Sequence, residues 1–400
     1  MALRVLIAGA GIGGLCLAQG LRKAGIEALV FERDLSAQVR GQGFRFRIDA
    51  DGDAALKACL SQDLYDLYQA TSSQSSPPSA AYDCEMREIF RMPARPGAPA
   101  QHTAVNRRTL REVLMGHLEN SIHFNHTLQH VDQTDDTVTA TFSNGTTASG
   151  DILVAADGIN SVVRRQLLPH IEPIDTGMRC IYGTTPLTTE LLDSLPDIFL
   201  SGFVPFAGLD RQTLAIGIFR LHNPIADTAL KLAPTVRLTS IHDYLMWLFV
   251  APLDLYATPD GDLRTTTPST LHQKALDLTK NWHPTLRQII QQAEVPTLFQ
   301  VPIRTSPPIP TWPSTRITLL GDAIHAMTPA GGIGANTAMR DAELLTRQLT
   351  APHRGQTNLL DAIAEYETQM RLYGTAAVRQ SLEGASRLYR IPAPESEAVS

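Results

Sequence analysis

The chain has little cysteine, few aromatic residues and no long apolar run, and each shortage narrows what it can be. Its four cysteines (Cys16, Cys59, Cys84, Cys180) are spread over 400 residues. With no CxxC pair and no nearby histidine set, they argue against a disulfide framework or a zinc site and predict buried small hydrophobes in a reducing, cytoplasmic setting. No apolar stretch reaches the roughly 20 residues needed to span a bilayer, so no membrane helix is expected. The apolar N-terminus is broken almost at once by a glycine-rich turn, which makes it a first core strand rather than a secretion signal. Basic residues are not in excess: 34 Lys and Arg face 40 Asp and Glu, a net charge of -6 that calls for neither nucleic acid nor an anionic membrane. Charged residues are 18% and hydrophobic ones 43%, a balance that excludes disorder. No internal repeat, Ser/His/Asp spacing or metal-ligand cluster is present.

What is there suggests an α/β architecture of two domains. Residues 4–9 form a short apolar run, as in a central parallel strand. Helical spacing follows over 14–25 (Leu17, Leu21, Ala24) and a second strand over 28–31, which together make a βαβ unit. Residues 42–49 alternate Phe44, Phe46 and Ile48 with Arg45, Arg47 and Asp49, a period of two that predicts a strand with its three charges on one face. The stretch 71–81 is rich in Ser and Pro and reads as a loop, as does 93–101. A helix is predicted over 107–117, a strand over 137–142 that ends in the turn 143–146, and a buried strand over 151–155. Between 174 and 301 the texture changes to strands such as 214–219 and helices around 241–250 and 271–278. A buried strand at 317–320 and helices around 337–349 and 359–388 end the chain. The expected organisation is a Rossmann-like nucleotide domain (1–75, 100–170 and 305–400, with C-terminal helices) and an inserted mixed β-sheet substrate layer (171–304, with 76–99).

Three constellations carry chemistry. Gly9, Gly11 and Gly14 form a GxGxxG between strand and helix. The first glycine permits a tight turn, the second a close approach to a pyrophosphate and the third close helix–strand packing, while the helix N-terminus offers open N–H groups. Glu32 ends the second strand, where a carboxylate accepts from a ribose 2′-hydroxyl, so the expected ligand is NAD or FAD. Asp157-Gly158 follows the 151–155 strand, continued by Asn160, Ser161 and Arg164. Gly321-Asp322 follows the 317–320 strand, continued by His325, Pro329, Gly332, Gly334, Ala335, Asn336 and Asp341. Asp322 is placed to accept from a polyol, and residues 330–335 let main chain press against a flat ring, with a helix N-terminus aimed at it.

Together these motifs, and the segment GDAIHAMTPAGGIGANTAMRDAELL above all, resemble the class A FAD-dependent monooxygenases, the single-component aromatic hydroxylases of the para-hydroxybenzoate hydroxylase type. The resemblance implies that Glu32 holds the adenosine ribose, Asp322 the ribityl chain and Arg107 the region of the FAD pyrophosphate. It further implies that Asp157 and Gly158 lie where FAD and NAD(P)H are handled, and that Pro329 sits over the flavin. Ile333 stands where the family commonly has Gln. The implied reaction is reduction of FAD by NAD(P)H, addition of O2 to give a flavin C4a-hydroperoxide, and transfer of one oxygen to an electron-rich carbon in a site kept dry.

The substrate is expected to be a small aromatic, polycyclic or polyketide-like molecule, as in secondary metabolism. Arg45 and Arg47 are candidates for the nicotinamide cofactor's phosphates or a substrate oxyanion, and Arg33 for a 2′-phosphate of NADPH. Tyr182, Arg220 and His222 are candidate bases. Phe199, Phe203, Phe206, Phe219, Leu245 and Phe249 are candidate pocket walls. The chain is expected to be a monomer or homodimer without nucleic-acid or membrane partners. Alternatives are an FAD-dependent epoxidase, halogenase or dehydrogenase on the same scaffold, or a NAD-binding protein without flavin. The halogenase reading is weakened because only Trp247, Trp282 and Trp312 are present, far apart.

Overall fold

The computed structural model describes residues 3–37, 44–75, 80–91, 102–200, 202–256 and 266–391. It opens with β1 (Arg4–Ala8), α1 (Ile12–Lys23) and β2 (Glu27–Phe31), the strand–helix–strand unit that the apolar spacing predicts. β3 (Arg45–Ile48), α2 (Ala50–Cys59), α3 (Gln62–Ala70), β4 (Ser73–Ser75), β5 (Ala80–Asp83), β6 (Glu88–Arg91) and β7 (His102–Asn106) follow. Then come α4 (Arg107–Met115), β8 (Ile122–His123), β9 (Leu128–Gln133), β10 (Val138–Phe142), β11 (Thr147–Gly150), β12 (Ile152–Ala155) and α5 (Val162–Leu167). The middle holds β13 (Ile174–Pro186), α6 (Thr189–Ser194), β14 (Phe203–Ala207), β15 (Thr213–Phe219) and α7 (Ile225–Leu232). It continues with β16 (Tyr244–Pro252), α8 (Pro268–Leu278), α9 (Pro284–Gln291) and β17 (Phe299–Thr305). β18 (Ile317–Leu319), α10 (Asp322–His325), α11 (Gly334–His353) and α12 (Leu359–Tyr389) complete it.

A parallel sheet in the order β18-β12-β1-β2-β8 forms the nucleotide-binding layer. Consecutive residues of β1 serve its opposite faces: Ile7 turns toward Gly14 of α1, and Leu6 toward Gly150 of β11, in the antiparallel β11-β10-β9 sheet. A strand covered on both sides must be apolar throughout, and Val5, Leu6 and Ile7 are fully buried. The second layer is a seven-stranded mixed sheet, β17-β13-β16-β15-β14-β5-β6, in which only the β14–β5 pair is parallel. A small antiparallel sheet, β3-β7-β4, lies beside it.

Two expectations fail here. The stretch around 241–250 is not a helix, because Tyr244–Pro252 is a strand paired with β13 on one side and β15 on the other. All nine of its residues are buried, and an apolar run without period cannot declare its own secondary structure, so pairing with neighbours decides. The stretch 71–81 is not simply a loop. Ser73–Ser75 pairs with β7, and β5 begins at Ala80, because ladder hydrogen bonds outweigh a Ser-rich composition. Residues 76–79, the predicted loop 93–101, and Gln42 and Gly43 lie outside the described residues.

Candidate cofactor and substrate site

The glycine-rich turn after β1 is built by close approach. Gly9 has φ +109°, and a Cβ there would lie 2.3 Å from the Ala156 carbonyl oxygen at the end of β12. A Cβ on Gly14 would lie 2.2 Å from the Gly9 carbonyl, so α1 can start only where it does with no side chain there. Gly11 is the opposite case: a Cβ would meet nothing within 4 Å, so its backbone faces open space. Glu32, buried at the end of β2, accepts from the Ala10 amide (2.8 Å) and the Asp34 amide (3.1 Å), which ties the turn to the second strand. Arg111 of α4 grips the same turn, its Nε donating to the Ala10 carbonyl and Nη1 to the Ala37 carbonyl, each at 2.9 Å. Sequence reasoning missed Arg111, although its place one helical turn after Arg107 was a signal. Arg33 is exposed beside Glu32.

Asp157 and Gly158 follow β12 directly. The Asp157 Oδ2 accepts from the Val162 amide at 2.9 Å, while Oδ1 is buried with no hydrogen-bond partner among the described residues. Burial raises the Asp157 pKa, only partly offset by hydrogen bonds from Ser161 and Val162. The buried Arg164 donates from Nη1 to the Ile159 carbonyl (2.8 Å) and the Ala323 carbonyl (3.2 Å), joining this turn to α10.

At the end of β18, Asp322 is exposed to solvent by area, yet desolvation raises its pKa against the favourable charges of His325 and Arg107. The side chain reaches solvent while protein surrounds its carboxylate closely, which reconciles the two. The chain then folds back through Pro329, whose carbonyl accepts from the Gly332 amide at 3.2 Å, into α11. A Cβ on Gly332 would also meet open space. Asn336 stitches this loop to β3: its Nδ2 donates to the carbonyls of Arg47 (2.9 Å) and Gly332 (3.1 Å), and its Oδ1 accepts from the Asp49 amide (3.1 Å).

Helix starts tell the same story. Asp49, Asn106, Ser161, Thr188, Thr267 and Asn358 each cap a helix with a side-chain acceptor. The helices that begin in the glycine motifs, α1 at Gly11, α10 at Gly321 and α11 at Ile333, have no side-chain cap, as is also true of α3 at Ser61 and α7 at Pro224 outside the motifs. Their first-turn amides, those of Gly334 and Ala335 included, are left for another acceptor, which is what a dinucleotide phosphate and a flavin ring edge provide. These open cradles and the orphaned Asp157 oxygen fit FAD.

The predicted trio of charges separates. Arg45 is buried against Gly217, Met246 and Tyr244 of the seven-stranded sheet, and burial lowers its pKa to about 10. Arg47 lines a cleft of about 250 Å³ with Ile333, Asn336, Arg340, Tyr373 and Gln380. Asp49 lines the same cleft, but its side chain accepts from the Gly52 amide (2.9 Å) and caps α2. Arg107 begins α4, and its charge is felt by both Asp322 and Tyr182. Tyr182 stacks on Phe299, ring centroids 5.1 Å apart and 7° from parallel. Burial drives its pKa well up, so it is held protonated and is not a base. Arg220 and His222 are exposed beyond β15, Arg220 facing Asp243 at 3.7 Å, and are not gathered with the others. Of the candidate walls, Phe199, Phe206, Leu245 and Phe249 belong to the opposite face of the sheet, under α8 and α9, and only Phe203 and Phe219 lie on the Arg45 side. Among the described residues there is no group of side chains able to hold a metal and no helix long and apolar enough to cross a membrane.

Residues 2–179 and 297–381 match the model of a family described as FAD binding domain. The chain is 33% identical to a protein of Photorhabdus luminescens, provisionally described as an FAD-containing monooxygenase, whose crystal structure superposes with a TM-score of 0.83 over 98% of this chain and 100% of that one. It is 32% identical to the dual O-methyltransferase/FAD-dependent monooxygenase elcB of Phaeosphaeria nodorum, covering 97% of this chain and 46% of elcB, so it spans about half the length of that relative. It is 29% identical to the FAD-dependent monooxygenase thnD of Trichoderma harzianum, over 95% of this chain and 92% of thnD.

Proposed function

The chain belongs to the FAD-binding-domain family of flavoprotein monooxygenases, and from that premise we propose that it hydroxylates a small aromatic or polyketide-like molecule with NAD(P)H and O2. The overall balance is substrate C–H, O2, NAD(P)H and a proton giving substrate C–OH, water and NAD(P)+. The observation that carries this reading is that three helix starts without a side-chain cap lie close together: a Cβ on Gly13 of α1 would meet Leu320 and Ala338, and one on Gly334 of α11 would stand 4.0 Å from Asp322 Oδ1. The reading extends to a cytoplasmic enzyme, divided into a cofactor domain (1–75, 100–170, 305–400) and a substrate layer (171–304, with 76–99).

In this account the backbone at Gly9, Gly11 and Gly14 receives the pyrophosphate, with Arg107 near it and Glu32 on the adenosine ribose. Arg33 stands beside that ribose and Asp157-Gly158 beside the cofactor. Asp322 accepts from the ribityl hydroxyls, and Gly332, Gly334 and Ala335 offer main chain to the ring. FAD, when bound, supplies the electron transfer and the activation of oxygen. The protein's own work is to orient and to exclude water. Pro329 would cover the bound ring, and Tyr182, stacked on Phe299 and held protonated, would offer a hydrogen bond to the substrate. Arg47, on the cleft beside the glycine loop, receives an anionic group of the electron donor or the substrate, and the buried Arg45 adds positive charge behind it.

The test is incubation of the purified protein with NADH or NADPH, a panel of phenols and polyketides, and 18O2. One labelled oxygen in the product and one nucleotide oxidised per hydroxylation support the proposal. Nucleotide oxidation that yields an unlabelled, dehydrogenated product replaces it with a dehydrogenase, and a labelled oxirane replaces it with an epoxidase.

A further inference from the structure

The turn that carries Asp322 is held from behind by a closed polar cluster that no role above uses. Asp341 of α11 accepts from the Gly321 amide with Oδ2 at 2.8 Å, and the same oxygen meets His325 Nε2 at 2.6 Å. Its other oxygen accepts from the Tyr373 hydroxyl of α12 at 2.7 Å. His325 and Asp341 are fully buried. Gly374 leaves room for the imidazole, since a Cβ there would stand 3.1 Å from its Cδ2, and the Arg340 guanidinium lies 4.1 Å over the Tyr373 ring. The His325 Nδ1 is buried with no hydrogen-bond partner among the described residues, so Asp341 alone fixes the ring by a hydrogen bond. A buried ion pair adds little net stability, because desolvation offsets the attraction. What this one does is join three segments, α10, α11 and α12, at the amide that starts the cofactor turn.

We propose that His325 and Asp341, clamped by Tyr373, are positioning residues that hold the Gly321-Asp322 turn in the shape that grips FAD. The proposal rests on the FAD reading above. Burial alone would lower the His325 pKa, but the charge and hydrogen bond of Asp341 and the charge of Asp322 outweigh it and raise it above its usual value. Asp341 from α11 and Asp322 from α10 act on this imidazole directly, while Arg107 from α4 acts on Asp322, Asp341 on Tyr366 and Tyr373 from α12, and Arg340 from α11 on Tyr373. A group whose pKa is raised in the folded protein contributes fully at low pH and loses its contribution as pH rises through the raised value. Loss of the imidazolium leaves two carboxylates with less positive charge beside them, so the grip on FAD weakens as pH rises.

The experiment is titration of the full-length protein, freed of flavin, with FAD from pH 5.5 to 9, for the parent and for His325→Gln, Tyr373→Phe and Ile289→Val. Ile289 lies in the separate core under α9, so Ile289→Val controls for a general loss of stability. His325→Gln is expected to raise the FAD Kd roughly tenfold at pH 6 and to remove the pH dependence, and Tyr373→Phe to raise it about threefold, with Ile289→Val unchanged. Equal affinities and superimposable pH profiles for the parent and His325→Gln overturn the proposal. So does a Tyr373→Phe protein that matches the parent, which decides the matter if His325→Gln does not fold. A parent protein that binds no FAD overturns the flavin reading instead.

Discussion

Along β16 alternate residues face two different environments. Leu245, Trp247 and Phe249 turn to a face sealed by Leu271 and Ala275 of α8 and Leu286, Ile289 and Ile290 of α9. Tyr244, Met246 and Leu248 turn to the face that meets Phe44, Ala330 and the end of α12. The sealed face is almost wholly apolar, and the Trp247 Nε1–H finds its one partner in Thr185 Oγ1 at 3.2 Å. The other face carries Tyr182, Tyr244 held by Asn106 at 2.9 Å, and the buried Arg45, all with pKa values displaced by burial. One face is built to stay shut. The other accepts desolvated polar groups, which is tolerable where a ligand is to meet them.

Substitutions separate the two faces, the largest effect first. Trp247→Ala empties the centre of the sealed face and is expected to lower stability by about 3–5 kcal/mol, read by denaturant unfolding, with the FAD Kd of the folded protein unchanged. Gly14→Ala forces a methyl group onto the Gly9 carbonyl. It is expected to reduce stability by about 1–3 kcal/mol and to abolish FAD binding, measured by flavin absorbance after gel filtration. Asp322→Asn acts in two directions. The raised pKa of Asp322 means that its ionised form opposes folding once pH rises through that value, so without FAD the variant should unfold at a higher temperature than the parent near pH 7.5. That advantage should vanish toward pH 4, and FAD affinity should fall roughly tenfold. Arg47→Ala should raise the KM for NAD(P)H or for an anionic substrate by roughly tenfold while leaving FAD affinity intact, measured by steady-state kinetics. Tyr182→Phe should change kcat/KM by no more than about tenfold and leave its pH profile unaltered, because a tyrosine held protonated does not titrate in the working range.

The cofactor half was the more legible because its physics is local. Gly9, Gly11, Gly14 and Glu32 sit within one βαβ unit, and their spacing alone places them at a strand end and a helix start. The sheet-borne half depends on pairing that spacing does not reveal. Tyr244–Pro252 read as a helix because an unbroken apolar run fits either structure until β13 and β15 flank it. Asp49 shares a period of two with Arg45 and Arg47, yet the strand ends at Ile48 and the carboxylate turns to cap α2. The aromatic candidates could not be sorted because which of them share a face is set by register. Arg111 went unnoticed because its partners are backbone carbonyls 101 and 74 residues away in sequence, and its place one helical turn after Arg107 does not by itself name them.

The central claim is that the uncapped helix starts at Gly11, Gly321 and Ile333 form a flavin cradle, and the absorbance spectrum of the purified protein tests it most directly. The account predicts flavin bands with close to one FAD per chain, present as purified or restored on adding FAD, and absent from Gly14→Ala. A colourless protein that takes up no FAD on reconstitution would contradict it.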